Sequence, residues 1–141
     1  MATFRTFEDI EGWKLARELT REVYRVSSSA PFSKDFALLN QIRRASVSVM
    51  SNIAEGFDRD GNKEFINFLT IAKGSAAEVR AQLYVAVDQS YISKEEFETL
   101  SELTNNIGRV LAGLIKYLQS SDLKGPKFKV VPKNQEPETR N

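Results

Sequence analysis

Gln41, Arg44, Ser48, Asn52, Glu55 and Arg59 recur every three or four residues within one stretch of the chain. That spacing lines them up along one side of a helix. Three chemistries are open to such a row. Glu55, with Glu78 on a second helix, could ligate a hard cation through oxygen. Lys73 and Ser75 carry the side chains of a base and a nucleophile. Arg43 and Arg44, with Gln41 and Arg59, could contact phosphates. Supply limits the first two. The chain contains neither His nor Cys. The commonest metal ligand, and the side chain that titrates nearest neutrality, are therefore missing. Thiolate sites are excluded, as are the Glu-x-x-His pairs of di-iron bundles. No motif surrounds Lys73 and Ser75. The expectation is a non-enzymatic protein with no catalytic residue, no metal, no cofactor and no small-molecule substrate.

The same residues have a structural reading. Buried polar groups in helical proteins can set which helices pair and in what register. Arg44, Ser48, Asn52 and Glu55 on one helix, with Gly74, Ser75 and Glu78 on another, are read as such a pairing device. Arg43 and Arg59 remain as residues of the first helix that could face a partner. In the last twenty residues Lys124, Lys127 and Lys129 surround Phe128 and could hold nucleic acid electrostatically.

Four amphipathic helices must position these residues. The first runs from about 11 to 27, with Ile10, Trp13, Ala16, Leu19 and Val23 on its apolar line. Phe4 and Phe7, just before it, are expected to dock on a helix or a neighbouring subunit. Pro31 ends the first helix, and Ser33 is the expected N-cap of the second, which runs to about Asp58. DRDGN follows as a turn, with Gly61 suited to positive φ. Asn62 is the expected N-cap of the third helix, which reaches about Ser90. Ser93 and Glu96 form a capping-box pattern before the fourth, which ends near Gln119. Short turns between long helices imply an all-α, antiparallel up-down-up-down four-helix bundle. Residues 1–121 form that bundle, and 122–141 form a flexible Lys- and Pro-rich tail, in which KFKVV could make a short strand.

A tight turn near residue 60 sets the register of helices two and three. Arg44 then falls near Glu78 as an ion pair, and Ser48 falls beside Gly74 and Ser75. Gly74, in mid-helix, reads as a point of close helix approach. Asn52 and Glu55 become partly buried groups in need of partners.

The bulk properties agree with one soluble domain. The chain has 141 residues, 41% hydrophobic, with a net charge of +1. The excess positive charge falls in the tail, so no basic domain of the kind usual in dedicated nucleic-acid binders stands out. No apolar run approaches the roughly 20 residues that span a bilayer, and no signal-peptide core opens the chain. A cytoplasmic protein without membrane contact is expected.

FEDI followed by WKLA, then SNIAEG, and AKGS with Glu78 together resemble the bacterial 23S rRNA-intervening-sequence proteins, over about residues 4–120. Gly12 departs from that pattern, which has a larger apolar residue there. The resemblance implies an antiparallel bundle that assembles as a ring, typically a homopentamer. It also implies kinship with the accessory protein of diversity-generating retroelements, a basic bundle associated with nucleic acid and a reverse transcriptase. Three readings stay open. The chain is a self-associating bundle that binds RNA or DNA, a protein-interaction scaffold with no nucleic-acid role, or a metal- or small-molecule-dependent enzyme with Glu55 or Glu78 in a deep pocket.

Overall fold

The computed structural model describes residues 4–122. Four helices carry the fold: α1 (Glu11–Val26), α2 (Phe36–Asp58), α3 (Asn62–Asp88) and α4 (Lys94–Asp122). Short 3-10 turns at Phe7–Asp9 and Phe32–Lys34 precede α1 and α2. No helix among the described residues is long and apolar enough to cross a membrane.

Each helix packs on its two neighbours around the bundle, α1 on α2, α2 on α3, α3 on α4 and α4 back on α1. Contacts between named residues give the direction of each pairing. Thr20 meets Ser46, while Ser27, further along α1, meets Arg43, earlier on α2. Ser48 meets Ser75, and Gly56 meets Phe65 and Phe68. Asn62 reaches Leu118, whereas Tyr84 packs on Phe97. Gly12 touches Leu111, whereas Arg25 approaches Glu96. In every pair the partner's number falls as the other rises, so all four neighbouring pairs run antiparallel.

The core follows the apolar periodicity. Leu19 and Val23 of α1, Ile42, Val49 and Ile53 of α2, Phe65, Leu69 and Leu83 of α3, and Ile107 and Leu111 of α4 are fully buried. Each such side chain contributes about 1.5–3 kcal/mol relative to exposure. Phe4 is buried against Phe57, with ring centroids 6.3 Å apart, and Phe7 packs edge-on to Trp13 at 5.1 Å. The entry segment thus docks on its own bundle.

Helix starts divide into one success and two corrections. Ser93 and Glu96 form the capping box, with reciprocal bonds of 3.0 and 2.9 Å. Ser33 does not cap α2. It sits in the 3-10 turn, and the cap is Asp35, whose Oδ1 accepts the Leu38 N–H at 3.1 Å. Asn62 does not cap α3. Gly61, at φ 86°, holds that position, and Asn62 is the first helical residue. Asn62 is buried, and its Nδ2 donates to the Leu118 carbonyl at 3.3 Å, which serves the last turn of α4. The Pro31 connection is joined to the α3–α4 connection. Tyr91 stacks on Phe32 at 5.1 Å and donates its hydroxyl to Asp35 Oδ2 at 2.9 Å. That bond, with some burial, raises the Tyr91 phenol above its ordinary value.

Candidate functional site

The seam between α2 and α3 unites part of the polar row. The hydroxyls of Ser48 and Ser75 lie 2.9 Å apart. Asn52 Nδ2 donates to the Ser48 carbonyl at 2.8 Å and to the Ser48 hydroxyl at 3.0 Å. Ser48, Ser75 and Asn52 therefore form one hydrogen-bonded cluster that crosses the seam once. Its chemistry is pairing, because every member is neutral and satisfied locally.

The remaining members of the row stand apart from this cluster. Glu55 is exposed and not a buried group. It pairs with Arg59 one turn on, at 2.9 Å, and this bond raises the Arg59 guanidinium above its ordinary value. Arg59 also approaches Glu64 at 4.0 Å and lies over the Phe68 ring at 5.0 Å. The expected ion pair of Arg44 with Glu78 does not form. Both side chains are exposed, and Glu78 instead accepts from Gln82 Nε2 at 3.3 Å. Two long exposed chains gain little from pairing in water, and they lose rotamer freedom by it. Neither Glu55 nor Glu78 lies in a buried pocket.

Gly74 is not a close-approach position either. A Cβ built there meets no atom within 4 Å. The close crossing belongs to Gly56, where a Cβ would lie 2.6 Å from Phe68 Cβ and 3.2 Å from the Phe65 ring. Gly12 shows the same crowding against the end of the Leu111 side chain. The departure at Gly12 therefore fits a bulky α4 neighbour.

Arg43 is committed within the chain. Its guanidinium stacks over the Tyr24 ring at 4.3 Å, and Nε donates to the Ser27 hydroxyl at 2.9 Å. Ser27 is buried and itself donates to the Val23 carbonyl at 2.7 Å. Arg43 thus ties the end of α1 to α2. Lys124, Lys127 and Lys129 lie outside the described residues, as does the tail expected at 122–141 except for Asp122, which is the last residue of α4 and not part of a tail.

Two surface features were not singled out by sequence reasoning. The first is the outward side of α3. Ile71 and Val85 are exposed, and the small residues Gly74, Ala77 and Ala81 lie between them at helical spacing. The second is a groove of about 300 Å³ between α3 and α4. Lys73, Gly74 and Arg80 form one wall, and Asn105 and Gly108 line the other. The available signal was Lys73 and Arg80, seven residues apart on one side of α3, together with unexplained glycines inside two helices.

A sequence profile of the 23S rRNA-intervening sequence proteins matches residues 8–113. The chain belongs to that family. Among solved structures, it is similar to a protein of unknown function from the S23 ribosomal protein family of Bacteroides thetaiotaomicron. The two share 27% identity, and the similarity covers 74% of this chain and 98% of that one, with a TM-score of 0.68. No curated protein matches the chain. The family match includes α1, α2 and α3 whole and most of α4, so the seam, the α3 face and the groove all fall inside it.

Proposed function

We propose that this member of the family is a non-enzymatic, cytoplasmic helical scaffold that assembles with copies of itself and binds structured RNA. The observation that carries the reading is the outward side of α3. Ile71 is 52% exposed and Val85 44% exposed, and the residues between them are small. Apolar surface at helical spacing that no described residue covers suits a second helix laid against it. Arg44 and Glu78 are exposed and oppositely charged, and neither forms an ion pair among the described residues. They are available to a neighbouring copy. The family resemblance supports a closed ring, with five copies as the expected size.

The test is the mass of the particle in solution. Light scattering after size exclusion is expected to report a multiple of the 15.9 kDa chain. Ile71→Lys with Val85→Glu should reduce it to one chain while circular dichroism stays helical. A wild-type protein that runs as a monomer at micromolar concentration would remove the assembly reading. Gel shifts against structured rRNA fragments test the other half. Binding should weaken steeply with salt, and an absence of binding at low salt would leave a protein-interaction scaffold as the better account.

A further inference from the structure

Gly74 and Gly108 sit inside helices, where glycine is less stable than alanine. Neither has positive φ, and a Cβ at either would meet nothing within 4 Å. Helix packing therefore does not require these glycines. What they share is the groove between α3 and α4, which both line. A side chain at either position would occupy it. Gly113, equally open, lines a different depression with Lys116 and Tyr117.

The groove has a definite electrostatic character. Lys73 and Arg80 line its α3 wall, and no carboxylate lines it. Among the described residues neither cation has an ion pair or a hydrogen bond, unlike Arg25, Arg43, Arg59 and Arg109. Seven residues of helix separate them by about 10.5 Å along the axis. The Asn105 side chain, on the α4 wall, also has no partner among the described residues. The hydroxyl of Thr70, by contrast, already donates to the Ile66 carbonyl at 2.8 Å. The free donors are thus two cations and one amide around a floor kept low by glycine.

We propose that this groove is a phosphate track: Lys73 and Arg80 pair with two separated phosphates of a nucleic-acid backbone, and Asn105 donates to the strand from the facing wall. The inference rests on the RNA-binding half of the function above and names its site. Two cations at a fixed spacing suit a repeating polyanion better than a single small anion. The glycines let the backbone of that polyanion come close to both helices. Contacts of this kind position a strand without reading its sequence. Net charge near neutrality is no obstacle, because no carboxylate lines the groove to offset its two cations.

The experiment measures the salt dependence of binding to a structured rRNA fragment, using the assembled full-length protein. Lys73→Gln and Arg80→Gln should each lower the slope of log K against log salt by about 0.7–0.9. Lys14→Gln, on α1 away from the groove, should leave it within error. Gly108→Leu, on the α4 wall and outside the α3 assembly face, should keep the helical content and particle mass of the wild type and weaken binding at least tenfold. A parallel titration with pyrophosphate separates a nucleic-acid backbone from a small phosphate ligand. RNA binding whose slope is untouched by both charge variants would overturn the groove, as would a Gly108→Leu variant that binds RNA normally. Failure of wild type to bind either RNA or pyrophosphate overturns both readings. Pyrophosphate binding that is lost in Lys73→Gln, without any RNA binding, keeps the phosphate site and removes the RNA.

Discussion

α3 is flanked by α2 on one side and α4 on the other, and the two contacts are built on different principles. Against α2 the chain is closed down. Gly56 admits the Phe68 Cβ and the Phe65 ring, and Ser48 and Ser75 bond across the seam. Against α4 the chain is held open. Gly74 and Gly108 face unfilled space, and uncommitted cations line one wall. Glycine in a helix thus has two meanings in this one molecule. At Gly56 the absent side chain is replaced by a neighbour. At Gly74 and Gly108 it leaves room.

That contrast sets the sign of substitutions. Gly56→Ala should destabilise by about 1–3 kcal/mol, because its Cβ would overlap an atom close to the α3 backbone, which has little room to move. Chemical denaturation measures this directly. Ser48→Ala should cost about 1 kcal/mol, since it strands the largely buried Ser75 hydroxyl. The double variant with Ser75→Ala should lose less than the two single losses added together, and strict additivity would mean that the seam is not held by this pair. Gly74→Ala and Gly108→Ala should move the other way, each stabilising by roughly 0.5–1 kcal/mol. A loss at either position as large as that at Gly56 would erase the distinction between the two contacts.

The smallest expected effect concerns the end where α3 passes into α4. The folded-state pKa of Tyr91 is raised by its bond to Asp35. The folded protein therefore holds this proton where the unfolded chain releases it. Stability should be intact below pH 10.0, the ordinary phenol value, and should fall as pH rises beyond it. Tyr91→Phe should remove its share of that alkaline slope, which urea midpoints measured between pH 9 and 11 would show.

Much of the fold was legible because helical periodicity and turn chemistry are local. The four apolar stripes, the Pro31 and Gly61 breaks and the Ser93–Glu96 box each depend on a few neighbouring residues. The register of α2 against α3 was legible as well, since a tight turn fixes it, and it brought Ser48 to Ser75. Long side chains escaped the same reasoning. Register places Arg44 and Glu78 on facing helices, but solvent decides whether their charged ends meet. Asn62 and Ser33 were misplaced as caps for a related reason. A capping side chain is recognised by type, yet burial against Leu118 drew Asn62 into the helix, and the 3-10 turn moved the cap from Ser33 to Asp35. Gly74 was read correctly as unusual and wrongly as close-packed. Composition shows that a side chain is missing and says nothing of what stands opposite.

Asp35 joins two events that sequence separates by 56 residues. One carboxylate oxygen holds the Leu38 amide in the first turn of α2, and the other holds the Tyr91 hydroxyl beyond the end of α3. That first turn should therefore not fray on its own. Hydrogen exchange at Leu38 becomes a reporter of whether the distant connection is docked, and faster exchange there in Tyr91→Phe would reveal a helix end whose local opening is governed from the other half of the chain.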